Sequence, residues 1–195
     1  MDRHVTDAPS KAPPPDGAGG PAERASTAAQ VLYELPDRGV TLAALGSLLV
    51  TIYRREYSAE EFEVLRGHEL AFARGRDAPI PILTILDVNE RHIIRFSKSA
   101  RERTVELARE IAPYTRCAAV VFDRGGFAAS AIRSLVTTVN LFTKQPFPAR
   151  VFGDLEAALE WIESKPEDRP LELARASIVA SLTALRRVNA ASNAP

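Results

Sequence analysis

The sequence predicts an α/β fold, a mixed β-sheet with helices packed against it. Three observations carry this. Two short, continuous apolar runs, Pro81-Ile-Leu-Thr-Ile-Leu-Asp87 and Cys117-Ala-Ala-Val-Val-Phe122, have the length and β-branched content of strands covered on both faces. Each is followed by a segment with helical spacing of apolar residues. Ahead of them, two β-prone runs flank a Gly46-Ser47 pair, the pattern of a hairpin.

The elements follow in order. Residues 1–29 are rich in Pro, Gly, Ala and Ser, including Pro13-Pro-Pro-Asp-Gly-Ala-Gly-Gly20, and lack the apolar surface that offsets ordering entropy, so a disordered tail is expected. Val31 to Leu35 reads as a short edge strand. Val40 to Leu45 and Leu48 to Arg54 form the hairpin. Ser58 and Glu61 make a capping box, and the helix they open ends at Gly75. Phe62, Leu65, Glu69 and Phe72 mark that helix, with Phe62, Leu65 and Phe72 expected on its buried side. After the strand ending at Asp87 comes a loop rich in Arg, His and Ile.

A second helix is expected from Lys98 to Ala112, with an apolar stripe of Ala100, Thr104, Leu107, Ala108 and Ile111, closed by Pro113. Gly125-Gly126 turns the next strand into a third helix, Phe127 to Phe142, apolar nearly all round and so deeply packed. Ala149 to Phe152 is a last strand. Asp154 caps a helix from Leu155 to Glu163, with Ala158, Leu159 and Ile162 inward. Beyond Lys165-Pro-Glu-Asp-Arg-Pro170, a helix from Leu171 to Val188 carries a narrow stripe of Leu171, Ala174, Ile178, Leu182 and Leu185. That stripe must bury against its own domain or against a partner subunit, which makes homodimerisation through this helix one expectation. The organisation is thus a tail (1–29), a domain (30–165), and a linker with an amphipathic helix and short tail (166–195).

Composition narrows the function classes. The chain has 195 residues, 46% hydrophobic and 26% charged, with 25 basic and 25 acidic residues and no net charge. Nucleic-acid binders carry a basic excess, and none shows here, so no nucleic-acid partner is expected. No apolar stretch approaches the roughly 20 residues of a membrane span. Without an apolar leader, and with Cys117 as the single cysteine, the reading is a cytoplasmic protein with no disulfide.

The search for chemistry is negative motif by motif. His4, His68 and His92 are scattered and form no zinc pattern. Asp123-Arg-Gly-Gly126 precedes a helix, but neither GxGxxG nor GxxxxGK[ST] is present, and no GxSxG nucleophile elbow occurs. No metal and no cofactor is expected, and no catalytic residue is assigned. Asp87 and Asp123 both end strands, on the edge where α/β proteins bind ligands, so they are candidate ligand positions. Aspartate at a strand end is equally a turn or capping residue.

Phe127-Ala-Ala-Ser-Ala-Ile-Arg-Ser-Leu-Val136, then Phe147-Pro-Ala-Arg-Val-Phe-Gly-Asp-Leu-Glu-Ala-Ala-Leu-Glu-Trp-Ile162, resembles the C-terminal half of SpoIIAA-like, STAS-type domains. There a helix leads to a short strand reading roughly R-x-F, then to a helix with an A-x-x-W-[LI] ending. The hairpin and the strand ending at Asp87 are similar to that family's first half, so the resemblance spans residues 38–164. It implies a non-enzymatic regulatory or protein-interaction module like the anti-sigma-factor antagonists, with a protein partner whose identity stays unknown. It also implies a phosphorylatable serine at the start of the helix after the central strand, where Ser97 and Ser99 stand. The family's Asp-Ser-Ser-Gly-like signature is replaced here by Phe96-Ser-Lys-Ser-Ala100, and Ser97 also reads as a helix cap. Arg91, Arg95, Lys98 and Arg101 would form the interaction surface, and the arginines could pair with a phosphate. The alternative is a small-molecule or lipid-binding domain with an apolar pocket between sheet and helices.

Overall fold

The computed structural model describes residues 29–37, 39–88, 98–123, 130, 132–134, 137, 146–165 and 171–190, with the backbone alone at 98–101 and 187–190. Six strands form one sheet in sequential order: β1 (Gln30–Glu34), β2 (Val40–Leu45), β3 (Leu48–Tyr53), β4 (Ile80–Leu86), β5 (Thr115–Val121) and β6 (Ala149–Phe152). The first two pairings are antiparallel and the remaining three parallel. The chain is therefore α/β with a mixed sheet, as the alternation of patterns predicts.

Local chemistry explains most of the joints. The β2–β3 hairpin turns at Gly46-Ser47, with Leu45 opposite Leu48. Gly46 sits at φ +61°, a left-handed conformation that glycine adopts without steric cost. Helix α1 (Ala59–Arg74) begins with the full capping box: Ser58 Oγ accepts from the Glu61 amide, and the Glu61 carboxylate accepts from the Ser58 amide. Arg55 adds an ion pair to that same Glu61 and another to Asp37, so the β1–β2 turn and the head of α1 share one guanidinium.

The remaining helices are α2 (Lys98–Ile111), α3 (Leu155–Glu163) and α4 (Arg175–Ala190). Asp154 caps α3 by accepting from the Ala157 amide. The third helix expected from the sequence, Phe127 to Phe142, falls almost wholly outside the described residues. Of that stretch Ile132 is buried, in a small cluster with Val88 and Phe122.

Both faces of the sheet are covered. On one face Val40 and Leu42 of β2 and Leu49 of β3 meet Leu65, Leu70 and Ala73 of α1, with Ile111 closing α2. On the other, Val50 and Ile52 of β3, Leu83 and Ile85 of β4, and Cys117, Ala119 and Val121 of β5 pack with Ala158, Leu159 and Ile162 of α3. This double cover is why β4 and β5 read as continuous apolar runs.

Helix α4 belongs to that second core. Ile178 and Leu182 are fully buried in it, with Leu173 just ahead of the helix. Of the two docking sites the stripe allowed, the structure uses the chain's own sheet. The helix starts four residues later than its pattern suggested, because Leu171 and Leu173 pack on the core before the first helical turn. Sixteen residues of helix span about 24 Å, close to the length of a seven-residue strand. One helix can therefore reach from edge to edge of the sheet. At one end Glu172 lies against Gly46 in the hairpin turn. At the other, Leu185 and Arg186 reach the carboxyl ends of the parallel strands.

One expected face is corrected. Helical spacing predicts Phe62, Leu65 and Phe72 on the buried side of α1, with Glu69 outside it. Glu69 is 6% exposed and joins the buried face, whereas Phe72 is half-buried at its margin, packed against the same cluster and stacked under the Arg76 guanidinium. The face of α1 that meets the sheet runs through Phe62, Leu65, Glu69 and Ala73, at helical spacings of three and four.

Candidate functional site

The carboxyl ends of β3 to β6 share one edge of the sheet, because these strands are parallel. Asp87 follows β4 directly, and its amide donates to the Tyr53 carbonyl at the end of β3 at 2.7 Å. Asp123 follows β5 by two residues. The two aspartates singled out in the sequence are thus brought to neighbouring strand ends.

A third residue joins them. The Arg186 guanidinium lies 3.4 Å from each Asp87 oxygen, through Nε and Nη2, and Nη2 also lies 3.2 Å from Asp123 Oδ2. These distances exceed the usual range for a strong charge-assisted hydrogen bond, so the arrangement is a loose electrostatic bridge. Burial pulls the Arg186 guanidinium toward a lower pKa, but the two carboxylates outweigh it and hold it above the ordinary value. Beside it, Arg54 donates to the Leu185 carbonyl at 3.0 Å and to Thr41 Oγ1 at 2.8 Å. The last turns of α4 are therefore tied to the sheet edge by one arginine from the sheet and one from the helix.

Chemically, this arrangement pairs two carboxylates with a cation of the same chain. Arg186 escaped the sequence reading, although a signal was present. It lies four residues after Leu182, one turn along the buried face of α4, where a basic residue needs an acidic partner.

The other candidate positions distribute differently. Ser97, Arg91 and Arg95 lie outside the described residues. Lys98, Ser99 and Arg101 fall on the first turn of α2, and their side chains lie outside the described residues too. Among the described residues, no group of three His, Cys, Asp or Glu side chains is placed to hold a metal ion. No helix among them is long and apolar enough to cross a membrane. Cys117 is fully buried in the core between β5 and its neighbours, as its apolar context predicts.

A second polar cluster lies on the opposite face, between the sheet and α1. Thr51, fully buried on β3, donates to Glu69 Oε1 at 2.8 Å. Tyr53 on the same strand and Tyr57 just before α1 lie close enough for their phenols to feel the Glu69 charge, and their rings are 5.3 Å apart. Burial raises both phenols, Tyr57 to about 12, while a hydrogen bond with Thr104 of α2 and the charge of Arg103 act the other way on Tyr57.

No family model matches this chain, and no curated protein or solved structure matches it either.

Proposed function

We propose that this chain is a non-enzymatic regulatory or protein-interaction module of the SpoIIAA-like, STAS-type kind. The observation that carries the reading is the Asp87–Arg186–Asp123 bridge. The sheet edge where α/β proteins commonly do chemistry is filled by a side chain of the protein's own last helix. The two carboxylates that could have served as acid and base are instead paired with a guanidinium. The element order supports the family reading: a hairpin, then strand–helix units, then β6 leading into a helix that carries Ala158, Trp161 and Ile162.

The interaction surface in this reading is the segment from Asn89 to Arg101, which follows β4 in the chain, with Arg91, Arg95, Lys98 and Arg101 as its charged contacts. Ser97 or Ser99 is its modification site. The test is affinity capture with wild type, Ser97→Asp and Arg95→Ala, each first shown to unfold like the wild type. A specific protein partner held by the wild type and lost in the variants is expected. Recovery of no partner, or unaltered capture by both variants, refutes the proposal.

A further inference from the structure

Glu69 is the most deeply buried acidic side chain among the described residues, and the bridge described above makes no use of it. It projects from the middle of α1 into the layer where Leu65, Leu70 and Ala73 meet Leu42 and Leu49. Among the described residues its one hydrogen-bond partner is the neutral hydroxyl of Thr51 at 2.8 Å. A carboxylate in such a place is costly, because one neutral donor does not replace the hydration of a full charge.

The nearby cations among the described residues act on other groups. On α1 itself, Arg66 pairs with Glu63 and with Glu110 of α2. His68 is exposed and stacks on Tyr33 of β1. Arg55 is held by Asp37 and Glu61. From α2, Arg103 acts on Tyr57, and from β3 the facing titratable group is the Tyr53 phenol. Among the described residues, only the Tyr53 and Tyr57 phenols, which ionise well above neutrality, couple electrostatically to the carboxyl.

We propose that Glu69 is a proton-linked catch for helix α1: the neutral carboxyl lets α1 seat on the sheet, and ionisation loosens α1 while α4 stays docked. The asymmetry follows from the layers. Helix α1 covers one face with a buried acid in its contact surface, whereas α4 covers the other with Ile178 and Leu182. Burial pushes the Glu69 carboxyl up to about 7, with the Thr51 hydroxyl pulling weakly the other way. The catch therefore operates across the neutral range. Its release would bare Leu65, Leu70 and Leu49, a change of surface that a partner can sense.

The experiment is hydrogen–deuterium exchange on the full chain at pH 6 and pH 8, corrected for the intrinsic rate and referenced to the amides of α4. With a carboxyl of pKa near 7 when α1 is seated and ordinary when it is free, linkage makes α1 opening rise about tenfold over that interval. In Glu69→Gln, which cannot ionise, the ratio of α1 to α4 exchange should stay flat. An equal rise in Glu69→Gln, or no rise in the wild type, overturns the proposal. Should Glu69→Gln fail to fold, carboxyl-carbon NMR of the wild type decides. A Glu69 midpoint near neutrality supports the catch, and one in the ordinary carboxylate range overturns it.

Discussion

Replacing Leu182 by alanine tests whether α4 is a structural layer of the domain, and the structure sets the size of the effect. Leu182 is fully buried among side chains of β3, β4, β5 and α3. Its truncation loses the transfer free energy of a leucyl side chain, about 2–3 kcal/mol, and leaves a cavity that the strands cannot close. A loss of about 3–4 kcal/mol is expected, a large share of the 5–15 kcal/mol that holds a typical domain together.

Arg186→Ala, one turn further on, is the informative contrast. Its guanidinium bridges two aspartates, but the side chains of Arg186, Asp87 and Asp123 are 31%, 30% and 47% exposed and the contacts are 3.2–3.4 Å long. Solvent screens such a bridge, and the carboxylates can hydrate once it is gone, so about 1 kcal/mol or less is expected. Hydrophobic burial, not the ionic bridge, holds the helix down.

Urea unfolding followed by the fluorescence of Trp161, the single tryptophan, measures both variants. With a urea dependence of about 1–3 kcal/mol per molar, Leu182→Ala should lower the midpoint by about 1–3 M and Arg186→Ala by much less. Equal shifts would refute the argument that packing dominates. A Leu182→Ala loss that grows as protein is diluted would refute the seating itself, because it would place the stripe against a second copy of the chain.

Two further outcomes follow from the geometry. For Glu69 the folded pKa, about 7, lies above the ordinary 4.5, so the unfolded chain gives up its proton first as pH rises. Stability attributable to this group should therefore be full below pH 4.5 and fall through pH 7 by about 3 kcal/mol in all. A wild-type minus Glu69→Gln difference curve reads it, and a flat difference refutes it. Asp37 and Glu61, held low chiefly by hydrogen bonds from Arg55, act in the opposite sense and at more acid pH, so the two effects separate. Gly46→Ala should destabilise the protein by about 1–2 kcal/mol, because it combines a left-handed backbone with a Cβ only 2.8–2.9 Å from Glu172. Gly46→Ala combined with Glu172→Ala should recover only the clash with the Glu172 carboxyl, because the Glu172 Cβ position 2.9 Å away stays occupied, as thermal melts would show.

The candidate site was half legible. Asp87 and Asp123 were found because an aspartate closing an apolar run marks the carboxyl end of a strand, a local signal. Arg186 lies 99 and 63 residues from its two partners, and no local pattern links residues so far apart. Glu69 was missed for a subtler reason. Helical spacing around Leu65 admits either Phe72 or the Glu69–Ala73 pair as the continuation of the buried face, and hydrophobicity alone favours Phe72. The rotation of α1 on the sheet puts Glu69 and Ala73 deepest and leaves Phe72 half-buried at the margin of the same cluster.

What the sequence determined by itself was the order and kind of the elements. Strand runs, helical stripes, the Gly46-Ser47 turn and the Ser58–Glu61 box are all written in neighbouring residues, so their energetics are local. The tertiary structure alone decided which surfaces meet. It seated the last helix on the sheet rather than leaving it for a partner, closed the strand-end aspartates with Arg186, and enclosed a carboxyl under α1. Each of these depends on distances between residues far apart in the chain, set by how two covered faces of one sheet share the available apolar surface.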